Sequence, residues 1–451
     1  SLETAVKCSA ENFSAGFLGM VLSEMNEKLC NDAWRKSKYN ICRHDKRTLI
    51  TSVGDVIFDS TYFKRRGQNN DYHYLLEDIL GLEAHERFSE AAETAILTEA
   101  LKTSYEEAAK VIPSKSEITK TTVMNKVHGL TEVLPVKESE NKKKCRYLFI
   151  EADEDHISEQ HGRWSKENKG FISRLAYIYE YKQENPKVKG RKELINTYYF
   201  SGLYEDSKGV QKFWEEVQEF IEKNYDSDEL QHVFVLGDGG NWIKSAISYV
   251  DRSLYCIDKY HMTKYINRAA NQMLDEAEIA KENLYRFIHK KQRKEFEEYT
   301  ERMRASANNQ EAIIELQKYA LGNWAAVMRS YHSELLSGCS AEGHVSHILS
   351  DRMSSRPMGW SQTGADRMSK LRCYERNHGR EKIIELVRYS REQRLLKRTG
   401  TDDINVTNIP LYEVVSEHYN QSRSYIDRIR ATIPGLTAKK TACIRTQLNH
   451  L

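Results

Sequence analysis

The order of apolar runs between residues 145 and 257 constrains this chain more than any other feature. Residues 146–153 (RYLFIEAD) form a short apolar run that ends in acid, the pattern of a buried strand. Residues 171–181 and 193–200 are two more β-rich runs, joined by a polar loop with Lys182, Lys187, Lys189, Arg191 and Lys192, so they predict a hairpin. Residues 209–221 place Val210, Phe213, Trp214, Val217, Phe220 and Ile221 on one helical stripe. A fourth strand, 232–238, again ends in acid; residues 242–249 read as helix and 254–257 as a fifth strand. The resulting order, β-β-β-α-β-α-β, predicts an antiparallel meander followed by parallel strands with right-handed crossovers. It is the order of a ribonuclease-H-like α/β core, a mixed five-stranded sheet covered by helices.

In such a sheet the first and fourth strands are neighbours, so Asp153 and Asp238 are expected at one edge. Two adjacent carboxylates repel unless a cation lies between them. Mg²⁺ prefers oxygen ligands and keeps several waters, so few protein carboxylates suffice. Two ions about 4 Å apart would activate a water or a 3′-hydroxyl and stabilise the leaving oxygen. We expect Mg²⁺, with Mn²⁺ able to substitute. The third carboxylate is expected from a helix capped by Ser340, with Glu342 in its first turn and Val345, Ile348 and Leu349 on its buried side. Asp155 rivals Asp153, because it shares its face, and Asp351 rivals Glu342. Each acid alone has a bland reading: Asp238 before Gly239-Gly240 as a turn residue, Glu342 as compensation of a helix N-terminus. The conjunction favours catalysis.

The rest of the chain reads as flanking helical regions. Residues 1–45 look helical, and 46–66 form a hairpin around Val53-Gly54-Asp55, closed by Lys64, Arg65 and Arg66. Residues 71–135 read as short helices, one capped by Ser104 and one by Ser116. They read as a helix-turn-helix with Lys115, Lys120 and Lys126 towards DNA, or as a small bundle without DNA contacts, which looks the same. The catalytic domain is expected over 145–260 plus 337–360, interrupted by an all-helical insertion at 261–336. A basic helical region follows at 361–451.

Net charge is only +2, so overall charge decides nothing about a nucleic-acid partner. Its distribution says more: residues 367–398 hold eleven Lys/Arg against four Asp/Glu, and 423–445 is a second basic stretch. Such faces neutralise phosphates, or are merely solvated. The eight cysteines form no Cys-x-x-Cys pair, which excludes zinc-ribbon spacing and fits a reducing compartment. No apolar run reaches membrane-spanning length, and the first residues lack an export-signal pattern.

Three stretches, IEADEDH (150–156), LGDGGNWI (236–243) and AEGHVSHILSDRMSSRPMGW (341–360), resemble the ISLre family of bacterial insertion-sequence transposases. The resemblance runs over nearly the whole chain, including the hairpin with Phe63-Lys64-Arg65-Arg66. That family belongs to the DDE transposases related to the Mutator-like group, with a helical insertion before the Glu. The resemblance implies Asp153, Asp238 and Glu342 as the catalytic and metal-binding triad. It matches Asp258 and His261 to an Asp-x-x-His motif after the fifth strand, with His261 near the scissile phosphate or a flipped base; a buried or capping His is the plain alternative. It implies hydrolysis at element ends followed by 3′-hydroxyl strand transfer into double-stranded target DNA, by at least a homodimer. The cell location would be bacterial, cytoplasmic and nucleoid-associated. Lys187, Lys189, Arg191, Arg352 and Arg356 are expected to hold phosphates, with Lys290, Lys291, Arg293 and Lys294 along the DNA path, and Trp360 to pack or stack on a base. A nuclease or resolvase that cuts without joining, and a non-catalytic DNA-binding descendant, are the competing readings.

Overall fold

The computed structural model describes residues 1–82, 85–136, 138–160, 170–190, 192–356 and 358–399. Arg191, the basic stretch 423–445 and most of the expected C-terminal region lie outside the described residues. The chain divides into two units, Ser1–Thr131 with the segment from Glu381 on, and Glu132–Arg380.

In the first unit, helices Leu2–Asn31 and Ala33–Lys38 lead into a hairpin of β1 (Tyr39–Thr51) and β2 (Gly54–Arg65), with a short β3 (Tyr72–His73) beside β2. The hairpin therefore begins earlier than expected: residues 39–45 are strand, not helix. This edge strand is exposed over most of Asn40–Thr48, so it lacks the alternation that betrays a strand in sequence. The long helix packs on β2 so closely that a Cβ on Gly19 would stand 2.5 Å from the Ile57 carbonyl oxygen. Leu22, Met25, Leu29, Val56, Phe58, Phe63 and Leu76 fill the space between.

Three helices follow, Glu90–Ala100, Tyr105–Ala108 and Lys120–His128. Ser104 caps the second as expected, its hydroxyl accepting the Glu107 N–H at 3.2 Å. The third is capped by Thr119 rather than Ser116, whose N–H is bonded to Asp55. Lys126 does not face outward. It is held at 2.8 Å from Glu86 and 3.2 Å from Glu93, and only Lys115 and Lys120 remain exposed. The C-terminal helix Ile383–Thr399 packs on Glu90–Ala100, and Arg391 reaches the same buried Glu93 at 2.5 Å. The expected C-terminal region thus splits, because its first helix, Gln362–His378, packs in the other unit.

The second unit holds a five-stranded sheet in the order β10-β9-β4-β5-β8. Its strands are β4 (Tyr147–Ser158), β5 (Gly170–Tyr179), β8 (Tyr198–Gly202), β9 (His232–Gly237) and β10 (Ser253–Ile257). A separate ribbon of β6 (Tyr181–Glu184) and β7 (Lys192–Ile195) interrupts the β5–β8 connection. The expected third strand, 193–200, is thus two strands, broken where Asn196 takes a positive φ of 55°. β4 runs antiparallel to β5 and parallel to β9, and β9 runs parallel to β10. The sheet is mixed, as the element order predicts.

Leu148, Ile150, Ala152, Val233, Val235, Tyr255 and Ile257 line one face and pack on Phe213, Trp214 and Val217 of helix Ser207–Asn224. Helices Lys259–Ala270, Ala277–His289, Arg293–Ser306, Gln310–Gly322 and Trp324–His332 make up the expected insertion. Their Ile266, Leu284, Phe296, Leu316 and Val327 belong to the same continuous core, so the insertion shares the sheet's interior. No helix among the described residues is long and apolar enough to cross a membrane.

Candidate active site

Side chains on a strand alternate between faces, and paired residues of neighbouring strands point the same way. Ile150 pairs with Val235 on the core face, and Glu151 pairs with Leu236 on the other. Continuing that register by two residues sets Asp153 beside Asp238, both on the face away from helix Ser207–Asn224. β10 extends the row. Ile257 pairs with Gly237, and the Asp258 N–H donates to the Gly237 carbonyl at 2.9 Å, so Asp258 stands beside Asp238 on that face too. Three carboxylates therefore lie at the carboxyl ends of three adjacent parallel segments. Asp153 does not close its strand, contrary to the expectation from sequence. β4 runs on to Ser158 because β5 pairs with it that far, and only the β9 partner ends at this level.

Each acid is held locally. Asp238 Oδ1 accepts the Gly240 N–H at 2.9 Å, closing a tight turn in which Gly239 has φ +103°. Gly237 leaves room for Ile243, whose Cδ1 would stand 2.6 Å from a Cβ there. Asp153 Oδ1 accepts the Glu154 N–H at 2.9 Å. Asp258 begins helix Lys259–Ala270; Oδ1 accepts the Tyr260 N–H at 2.9 Å and Oδ2 lies 2.8 Å from His261 Nδ1.

Burial pushes the Asp153 carboxyl up to about 6; the charge of Asp238 adds to the rise, against the Glu154 N–H and the His261 charge. The bond to Asp258 raises the His261 pKa, with Asp238 and Asp153 adding to the effect. Asp153, Asp238, Asp258 and His261 thus form one electrostatic group.

The helix that carries Glu342 reaches the same face by a different route. This helix, Ala341–Val345, continues through a π-helical turn, Ser346–Ser350, to Asp351–Met353, and buries Val345, Ile348 and Leu349 as expected. Ser340 stands at the cap position, yet its hydroxyl makes no capping bond. It donates instead to Glu151, which is wholly buried two residues before Asp153 on the same face. Glu151 also accepts from the Ser340 N–H at 2.6 Å, Tyr177 Oη at 2.5 Å, Tyr179 Oη at 2.7 Å and Lys182 Nζ at 2.7 Å. Glu342 itself is exposed. Among the described residues no group of three His, Cys, Asp or Glu side chains is arranged to hold a metal ion. The structure therefore gathers Asp153, Asp238, Asp258 and His261, and leaves the Glu342 carboxylate facing solvent.

The rivals have partners of their own. Both oxygens of Asp155 accept from Ser354 Oγ, at 3.0 and 2.8 Å, and Asp351 is exposed, 3.7 Å from Arg372. Of the expected phosphate ligands, Lys187, Lys189 and Arg356 are exposed, as are Lys290, Lys291, Arg293 and Lys294. Arg352 is not available. It is buried with its guanidinium 4.9 Å from the Trp360 ring centre, and Trp360 itself packs, donating to the Met353 carbonyl at 3.0 Å.

Two participants are not visible in the sequence. Glu151 looks there like one of several acids crowding Asp153; only the fold shows the donors converging on it. Tyr319, on helix Gln310–Gly322, lies over the turn, 3.1 Å from where a Gly239 Cβ would be. Its buried hydroxyl has no hydrogen-bond partner among the described residues. Burial raises its pKa, and the charges of Asp238 and Asp258 add to the rise. Nothing in the amphipathic pattern of that helix distinguishes it from a core aromatic.

The chain matches, over residues 1–390, the model of an uncharacterised protein family, UPF0236. It belongs to that family. Two UPF0236 relatives from Caldanaerobacter subterraneus subsp. tengcongensis bear this out. One is 31% identical over 387 residues, 85% of this chain and 79% of the relative. Another is 34% identical over 370 residues, 81% of this chain and 75% of the relative. Among solved structures, the Drosophila P element transposase strand transfer complex aligns over 80% of this UPF0236 chain and 91% of the other, at 10% identity and a TM-score of 0.21. So low a score carries no argument about fold or function.

Proposed function

We propose that this chain is a metal-dependent DNA transposase of the DDE kind, of the ISLre type, built on a ribonuclease-H-like core. The observation that carries the reading is the row of Asp153, Asp238 and Asp258 on one face of a sheet ordered β10-β9-β4-β5-β8. An acid at the end of one strand is commonly a turn residue; acids in register on three adjacent strands, one with its pKa pushed up to about 6, are a functional constellation.

The donors suit a divalent cation. Asp153 and Asp238 present hard oxygen ligands on one face, and Mg²⁺ needs only one or two carboxylates because it keeps several waters. Mg²⁺ or Mn²⁺ held there supplies Lewis-acid activation of a water or 3′-hydroxyl and stabilises the leaving oxygen. The protein's own groups do the rest. Asp258 fixes Nδ1 of His261 and favours its protonated form, leaving Nε2 to donate to a phosphoryl oxygen. Glu342 enters as a third ligand only if its side chain turns inward, which DNA and metal binding together would favour. DNA is the substrate and partner, and joining two element ends calls for at least two copies.

The test is incubation of the purified chain with labelled duplex spanning the DNA on either side of its own gene, in Mg²⁺ or Mn²⁺. Nicked ends and joined products are expected, lost in Asp153→Asn and Asp238→Asn. Cleavage without joining makes the chain a nuclease only. Cleavage that survives both substitutions, or none in either metal, defeats the catalytic reading.

A further inference from the structure

A cleft of about 980 Å³ in the second unit lies beside the helix that carries Glu342, and the catalytic reading does not use it. The ribbon contributes Lys182 and Lys192; helix Gln362–His378 and the residues after it contribute Arg372, Arg376 and Arg380. Against these five cations Glu375 is the one carboxylate of the lining among the described residues. The cations fall into two sorts. Lys182 is tied to buried Glu151, and Arg372 donates to the His347 and Ile348 carbonyls, so both are braced parts of the wall. Lys192 and Arg376 are exposed at its surface, and Arg380, also exposed, is paired with Glu375.

The glycines of the wall give a second, independent sign. Gly343 sits inside helix Ala341–Val345, where glycine is less favourable than alanine by about 1 kcal/mol. A Cβ there would meet no protein atom within 4 Å, and its φ is not in the left-handed region. Neither packing nor backbone geometry calls for glycine, and the open side is the cleft. Gly338 and Gly190 also line it with no atom within 4 Å of a Cβ, but their positive φ, +113° and +79°, already calls for glycine, so Gly343 carries the sign. Bare backbone among cations permits close approach by a phosphate.

We propose that this cleft is a binding site for the phosphodiester backbone of DNA, running along the Glu342 helix. It rests on the reading that the chain acts on DNA, and adds the surface that holds a strand outside the carboxylate row. The sequence alone points to phosphate contacts at Lys187, Lys189 and Arg191, in the loop that joins Lys182 to Lys192, and at Arg352 and Arg356; it does not single out Arg376 and Arg380, because the ribbon meets them only in the fold.

The test measures binding of fluorescent single-stranded and duplex oligonucleotides by anisotropy, with Ca²⁺ present and over a range of salt. Lys192→Ala/Arg376→Ala/Arg380→Ala is expected to lose at least about tenfold in affinity for one or both forms, and to flatten the dependence of log K on log salt by about 2, since each phosphate contact contributes roughly 0.7 to 0.9. Gly343→Ala should raise the melting temperature yet weaken binding, a combination that a merely structural glycine would not give. The charge-matched control is Lys208→Ala/Lys212→Ala/Lys223→Ala, on the helix covering the opposite face, and it should bind as the parent does. Equal losses in the control and the cleft variant, or unchanged affinity and salt slope in the cleft variant, overturn the cleft while leaving the DNA reading intact. Absence of binding by the parent chain overturns the DNA reading itself.

Discussion

Ser340 gives both its backbone N–H and its hydroxyl to one oxygen of Glu151, at 2.6 and 2.9 Å. The start of the Glu342 helix is thereby pinned to the strand that bears Asp153. Lys182 completes the clamp, bonding both Glu151 and the Gly338 carbonyl at 2.7 Å. A buried carboxylate is costly unless its lone pairs are filled, and here they are. Removing Glu151 leaves Lys182 without its anionic partner and the Tyr179 hydroxyl without its acceptor. Glu151→Ala should lower stability by about 3–5 kcal/mol in chemical denaturation. Glu151→Gln, which keeps an acceptor oxygen, should lose less. A loss below about 1 kcal/mol for the alanine variant would show that the clamp does not hold the segment.

Asp153 gives a pH signature. Its pKa in the folded chain, about 6, lies above the ordinary carboxylate value, so the folded state binds the proton more tightly than the unfolded. Stability from this group is present at low pH and lost as pH rises from about 4 through 6, by at most about 3 kcal/mol. Asp153→Asn should therefore be more stable than the parent at pH 7.5, with the gap closing towards pH 4. A gap that is the same at both pH values would contradict the burial argument.

Divalent cations should reverse that penalty. Ligand binding to the folded state alone stabilises it by about 2.7 kcal/mol at a hundred times Kd. Mg²⁺, Mn²⁺ or Ca²⁺ should raise the melting temperature of the parent and leave Asp153→Asn and Asp238→Asn unmoved. Equal shifts in all three proteins would place the ion elsewhere.

His261 should titrate above an ordinary histidine because of Asp258. In NMR titration of the imidazole, Asp258→Asn is expected to bring its pKa down. An unchanged midpoint would mean that the 2.8 Å contact does not govern its charge.

In the first unit, Glu93 is buried between Arg391 and Lys126. Arg391→Ala should cost about 3–5 kcal/mol, as expected when a buried pair is broken on one side. A cost no larger than that of a surface substitution would show that the helix Ile383–Thr399 is not anchored there.

The sheet was legible because strands buried on both faces read as continuous apolar runs, as in 146–153 and 232–238. The register of Asp153 with Asp238 followed from strand order. What the sequence hid depends on exposure and on contacts, most of them across long separations. The exposed edge strand 39–48 has no apolar alternation to read. The extension of β4 to Ser158 depends on β5. Arg352, read as a phosphate ligand from its nearness to Glu342, is turned inward by Trp360. Lys126 looked like a surface lysine until Glu86 and Glu93 met it. Glu342 was placed on its helix, but where its carboxylate points is decided by Glu151 holding Ser340.

The first unit is assembled from two pieces of chain separated by the whole of Glu132–Arg380. Its buried Glu93 waits for Arg391, which emerges from the ribosome roughly 15–60 s later at about 5–20 residues per second. The sheet unit, Glu132–Arg380, is made within that interval and ends 11 residues before Arg391. A message cut short before residue 383 would yield a protein with its carboxylate row in place and its other unit unfinished, so translation through the helix Ile383–Thr399 is itself a condition for completing that unit.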